Sequence, residues 1–223
     1  MSESQHWEDV DDYFTTLLTP ADDALEAALR DSDAEGLPHI NVAPNQGKLL
    51  QLLAQIQGAR RILEIGTLGG YSTIWLGRAL PADGRLITLE YDEKHADVAR
   101  RNLARAGLDT ITEVRTGPAL ESLPKLADEN PAPFDLVFID ADKANNPHYV
   151  EWALRLTTTG SLIIVDNVVR GGKVTEADST DPSIRGTRAA LQLIADHPRL
   201  SGTAVQTVGG KGYDGFALAR VVS

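Results

Sequence analysis

The stretch Arg61-Ile62-Leu63-Glu64-Ile65-Gly66-Thr67-Leu68-Gly69-Gly70-Tyr71-Ser72 decides the fold. Arg61–Ile65 is an apolar, β-prone run, the next five residues form a glycine-rich turn, and Ser72–Leu80 reads as a helix. Strand, glycine turn and helix in that order open a parallel βα unit, with a ligand crevice at the carboxyl end of the strand. Working outward, the same alternation continues downstream. Arg85–Glu90, Ile111–Thr116, Phe134–Asp140 and Ser161–Asp166 read as strands. Between and after them Glu93–Ala106, Pro118–Asp128, Pro147–Leu156 and Thr187–Asp196 read as helices. The LVFI and LIIV cores of two strands are continuously apolar, as expected where both sheet faces are covered.

The two ends of the chain read differently. Ala204–Val208 and Phe216–Val222, separated by GGKGYDG, look like a closing antiparallel pair rather than another βαβ unit. Before residue 59 the chain reads as helical, with Thr19 as an N-cap followed by Pro20 at the first helical position, and Gln46–Gln57 as a further helix. The expected fold is therefore α/β: a doubly wound, Rossmann-like, seven-stranded, mostly parallel sheet with an antiparallel C-terminal strand and an N-terminal helical extension. One domain is expected over 1–223, with helices in 1–58 and the α/β core in 59–223.

Composition excludes several functions. Lys plus Arg number 21 and Asp plus Glu 32, a formal balance of 21 − 32 = −11, which disfavours nucleic acid as a partner. Cysteine is absent, so disulfides, thiolate metal sites, iron–sulfur clusters and cysteine nucleophiles are excluded. No apolar run approaches the roughly 20 residues of a membrane span. The opening MSESQHWEDVDD lacks the basic and apolar regions of a signal peptide, so a cytoplasmic protein without a membrane partner is expected.

The strand ends carry the chemistry. The dinucleotide pattern G-x-G-x-x-G is not met, because Leu68 stands where its second glycine belongs. Glu64 beside the turn suits a ligand bearing positive charge better than a pyrophosphate. Glu90 follows 26 residues later, near the spacing at which an acid meets a ribose diol. An adenosine ligand with a cationic far end fits both features. Two later strands end in Asp140 and in Asp166-Asn167. If those strands are adjacent and parallel, their ends lie roughly 5 Å apart, and three oxygen donors converge. Oxygen-only ligands favour Mg²⁺, Mn²⁺ or Ca²⁺ over zinc; acids capping strand ends are the plainer reading. Lys143 lies on the same edge, either as a proton acceptor or as a surface partner of Asp140 or Asp142.

Together these residues resemble the cation-dependent class I O-methyltransferases, which include catechol and caffeoyl-CoA O-methyltransferases. The likeness runs from about Val42 to Arg220 through EIGTLGGYS (64–72), TLEYDEKHADVAR (88–100), FDLVFIDADK (134–143), IIVDNVV (163–169) and DGFALAR (214–220). The resemblance implies S-adenosylmethionine as methyl donor, with Val42, Glu64, Gly66, Thr67 and Ser72 around its methionine end. It implies Glu90 at the ribose, Ala119 beside the adenine and Asp140 near the sulfonium. Asp140, Asp166 and Asn167 match the Mg²⁺ ligands, with Mn²⁺ or Ca²⁺ as alternatives, and Lys143 matches the general base. A small aromatic vicinal diol as acceptor and a homodimer are implied in the same way. Two stretches depart from the pattern. Asn146 stands where a tyrosine is frequent, and Val168-Val169-Arg170-Gly171-Gly172 replaces the aromatic residue of plant relatives. Both border the acceptor side. There Arg170 is read either as facing solvent or as meeting an acidic acceptor, and His148 is the one histidine near the proposed site. Two other readings compete: an NAD(P)-dependent oxidoreductase on a similar sheet, disfavoured by Leu68 and the oxygen trio, and a non-catalytic adenosine-ligand module.

Overall fold

The computed structural model describes residues 3–19, 22–129 and 131–223. Three helices come first: α1 (Glu3–Leu18), α2 (Asp23–Ala34) and α3 (Pro44–Ile56). The alternating part follows as β1 (Arg61–Ile65), α4 (Tyr71–Gly77), β2 (Arg85–Glu90), α5 (Glu93–Arg105), β3 (Thr112–Thr116), α6 (Ala119–Asp128), β4 (Phe134–Ile139), α7 (Asn146–Leu156) and β5 (Thr157–Asp166). The chain closes with α8 (Pro182–Asp196), β6 (Leu200–Gly209) and β7 (Gly212–Val221). The seven strands form one sheet in the order β3-β2-β1-β4-β5-β7-β6. β3, β2, β1, β4 and β5 are parallel neighbours, and β7 runs antiparallel to both β5 and β6.

Alternation along the central strands divides the core in two. Leu63, Ile65, Val137, Ile139, Ile163 and Val165 face a cluster closed by Leu123, Val150 and Ile194 of α6, α7 and α8. Ile62, Leu86, Leu136, Phe138 and Ile164 face the other side, closed by Leu25, Leu50, Ile74 and Leu103 of α2 to α5. With helices on both faces, the strands read as continuous apolar runs. Among the described residues no helix is long and apolar enough to cross a membrane.

Two expectations are corrected, and a third gains detail. The helix expected to begin at Thr19-Pro20 begins at Asp22, whose carboxylate accepts from the backbone N–H of Ala24 (3.1 Å) and Leu25 (3.0 Å); Pro20 lies outside the described residues. A carboxylate accepting two orphan N–H groups is the stronger cap. Helix α8 starts at Pro182, ahead of the expected Thr187, with Asp181 accepting from Ser183 N at 2.8 Å. The terminal strands do pair antiparallel, but β7 inserts between β5 and β6, so β6 runs in the direction of β5 and is reached across α8.

Candidate active site

The site lies between β1 and β4, where the strand order reverses and where open α/β sheets hold their ligands. Gly66 leaves β1 at φ +101°, and a Cβ there would sit 2.1 Å from the Asp140 carbonyl oxygen. Only glycine permits both that conformation and that approach. Asp140 N in turn donates to Ile65 O at 2.8 Å, so the first turn and the end of β4 form one unit. Glu90, at the end of β2, fixes the loop: its carboxylate accepts from Thr67 N (3.1 Å) and Leu68 N (2.7 Å). Leu68 adopts φ +50°, a left-handed conformation at the position where the dinucleotide pattern has glycine. The turn keeps its shape while its N–H groups point at a carboxylate, where a phosphate would otherwise sit.

Glu64 is fully buried beneath this loop. Its carboxylate accepts from Ser72 Oγ (2.7 Å), Thr73 Oγ1 (2.5 Å) and Thr88 Oγ1 (2.7 Å). Burial raises its pKa to about 7, against the lowering by those three hydroxyls, and the nearby Asp140 charge adds to the rise.

The ends of β4 and β5 meet the expectation of adjacency. Ile139 pairs with Val165 in parallel register, which brings the next residues, Asp140 and Asp166, side by side. Asp140 Oδ1 accepts from Lys143 Nζ at 2.6 Å. Asp166 is 3% exposed and accepts from Asn167 N at 2.8 Å and from Gln46 Nε2, on α3, at 2.7 Å. Burial, then the Asp140 charge, pushes its pKa up to about 7, opposed by Lys143. Asn167 adopts φ +57° immediately after β5. Two neighbouring carboxylates, one of them buried with only neutral hydrogen-bond donors, form an oxygen-rich, electron-dense corner that a hard cation suits. No group of three or more His, Asp or Glu side chains suited to a metal gathers among the described residues.

A cavity of about 830 Å³ opens over this edge. Val42, Gly66, Thr67, Ser72, Glu90, Ala119, Asp140, Lys143 and Asn167 line it. Glu64 and Asp166 are not among the lining residues: Glu64 is fully buried, bonded to Ser72 and Thr73, and Asp166 is 3% exposed, bonded to Gln46. Tyr149, also on the lining, donates to Asp142, and Arg170 and Ser183 line the same space. His148 is exposed and faces Glu151 at 3.6 Å, away from the lining. Sequence reasoning missed Gln46, which read only as part of a helix, and the hydroxyls of Thr73 and Thr88. Gln46 meets its partner across 120 positions, for which one sequence carries no signal, whereas Thr73 follows Ser72 directly on the helix above Glu64.

The wider comparison agrees with this geometry. The O-methyltransferase family matches residues 20–221, and the chain belongs to it. A catechol O-methyltransferase of Niastella koreensis is 52% identical over 98% of this chain and 99% of its own length. The O-methyltransferase of Bacillus cereus, solved in complex with SAH, is 57% identical with a TM-score of 0.96, over 97% of this chain and 99% of that one. An O-methyltransferase from Streptomyces achromogenes involved in tomaymycin synthesis, solved with SAM, is 48% identical with a TM-score of 0.97 over the whole of both chains. Family membership decides against the oxidoreductase reading.

Proposed function

We propose that the chain, as one methyltransferase domain, moves a methyl group from S-adenosylmethionine to one hydroxyl of a small aromatic vicinal diol, with a divalent cation held by Asp140, Asp166 and Asn167. The observation that carries this is the register of β4 and β5, which sets two carboxylates side by side behind and on the wall of the cavity. Mg²⁺ is the first choice, with Mn²⁺ or Ca²⁺ as alternatives, because every donor is oxygen.

S-adenosylmethionine supplies an electrophilic methyl on a sulfonium, and the cation, when bound, lowers the pKa of a coordinated hydroxyl. The chain supplies position and charge. Gly66, Thr67, Ser72 and Val42 cradle the methionine end, with the buried Glu64 beneath lending negative potential. Glu90 gives Oε2 to the loop N–H groups of Thr67 and Leu68, and its Oε1, which accepts from Asp92 N at 3.0 Å, keeps a lone pair for a ribose hydroxyl. Ala119 flanks the base. Lys143, whose Nζ donates to Asp140 Oδ1 at 2.6 Å, is the group placed to receive the acceptor proton. The hydroxyl oxygen forms the new bond to carbon, the sulfur keeps the electron pair of the broken one, and holding the two in line is the main catalytic contribution.

The test is turnover of labelled donor on 1,2-, 1,3- and mono-hydroxybenzenes, with EDTA and then with Mg²⁺ restored. The 1,2-diol alone should be methylated, and only with the ion. Equal turnover in metal-free buffer would remove the cation from the reaction.

A homodimer is proposed as well. Tyr13, Phe14, Leu17 and Leu18 on α1 and Val205 and Val208 on the edge strand β6 are exposed apolar residues, and α1 and β6 are in contact. Apolar side chains and an open strand edge left to water favour a partner.

A further inference from the structure

Arg170 follows β5 on the acceptor side of the cavity, and three observations about it need a common cause. First, its backbone sits at φ +57° although it carries a long side chain and two glycines follow directly. A left-handed conformation is unfavourable for a non-glycine residue, and such outliers persist where the surroundings impose them. The imposing contact is visible: Asp214 Oδ1 accepts from both Val169 N (2.9 Å) and Arg170 N (3.0 Å), which clamps the turn to the start of β7. Second, the guanidinium is under-used. Its Nε is buried with no hydrogen-bond partner among the described residues, and its nearest carboxylate oxygen, Asp214 Oδ2, is 3.9 Å from Nη1, beyond hydrogen-bond reach. Third, Arg170 is among the residues that line the cavity, with its side chain one-third exposed.

The other charged groups lining the cavity have partners: Lys143 donates to Asp140, His95 lies 3.5 Å from Glu90, and Asp142 accepts from Tyr149. The Arg170 guanidinium has unfilled donors. A neutral diol has no use for a cation there, and an anionic one would be repelled from this acid-lined space without it. A guanidinium offers a planar fork of N–H groups that matches a carboxylate.

We propose that Arg170 determines specificity by receiving a carboxylate on the acceptor, so that the preferred substrates are aromatic vicinal diols bearing an acidic side arm. This rests on the reading above that the acceptor occupies this cavity.

The test compares 3,4-dihydroxycinnamate with its methyl ester, using S-adenosylmethionine and Mg²⁺. Wild-type kcat/KM should favour the acid by about 10- to 100-fold, as a charge-assisted fork implies. Arg170→Gln should collapse the acid-to-ester ratio at least about tenfold, through KM rather than kcat, and Arg170→Lys should restore part of it. A wild type that handles the ester as well as the acid, or a ratio unchanged in Arg170→Gln, would overturn the proposal. A second arm needs no methyl transfer: cinnamate, which has no diol, is titrated calorimetrically into the protein. Binding by wild type and its loss in Arg170→Gln supports the carboxylate site; equal binding by both proteins, or none by wild type, contradicts it. Absence of turnover on both diols would strike the methylation reading alone, and the cinnamate arm would still decide for or against Arg170.

Discussion

Glu64 and Asp166 are buried carboxylates beside the cavity, and burial raises the pKa of both. For Glu64 the consequence can be signed. Its folded pKa lies above the ordinary value of 4.5, so the folded state binds the proton more tightly than the unfolded chain. Its contribution is full below about pH 4.5 and is lost as pH rises through about 7. For a fully buried group with a shift of that size, the loss is about 3 kcal/mol. Urea unfolding of the protein without ligands should therefore show stability falling between pH 5 and 7.5, and Glu64→Gln should flatten that slope. A slope unchanged in the variant would deny Glu64 this role. The legibility of the site divides at the same scale. That Asp140 and Asp166 end neighbouring strands could be read because each follows a continuously apolar run of the kind central strands carry. Gln46 could not, since its meeting with Asp166 depends on how α3 lies across the sheet. That Glu64 would be roofed by hydroxyls rather than open to the ligand was equally hidden.

At the scale of elements, the β1–α4 turn and the end of β4 act as one piece. Gly66→Ala should displace the Asp140 backbone, because the added Cβ would lie 2.1 Å from its carbonyl oxygen. Overpacking of this kind typically costs about 1–3 kcal/mol, and here it acts at the site itself. Thermal unfolding should show a lower Tm, and calorimetry a weaker affinity for S-adenosylhomocysteine. Wild-type affinity in the variant would show that the turn tolerates movement. The strands and most helices were legible because period-two and continuous apolar runs alternate with helical stripes. The start of α8 was not, because its first turn carries Ser183, Arg185 and Gly186, which show no apolar stripe. Gly186 is explained only by tertiary contact: a Cβ there would lie 2.2 Å from the Lys143 carbonyl oxygen.

At the scale of the molecule, the sheet order places the glycine turn and the acidic strand ends on either side of the same reversal, so that both border one cavity. The hairpin of β6 and β7 clamps the loop after β5 through Asp214, and α1 reaches the same hairpin, where Asp11 accepts from Gly210 N at 2.8 Å. The surface that α1 and β6 leave apolar therefore adjoins the elements that hold that loop. Sedimentation at micromolar concentration should find a dimer, and Phe14→Glu with Leu17→Glu should shift it to monomer. A wild-type monomer would contradict the assembly while leaving the site untouched.

The most direct test of the cation site is Mn²⁺ binding followed by electron paramagnetic resonance, free of any need for turnover. Wild type should take up one equivalent of Mn²⁺, displaceable by Mg²⁺, and Asp166→Ala should lose that affinity by at least about tenfold while still binding S-adenosylhomocysteine. Equal Mn²⁺ binding in the two proteins, or none in wild type, would contradict a divalent ion at the ends of β4 and β5.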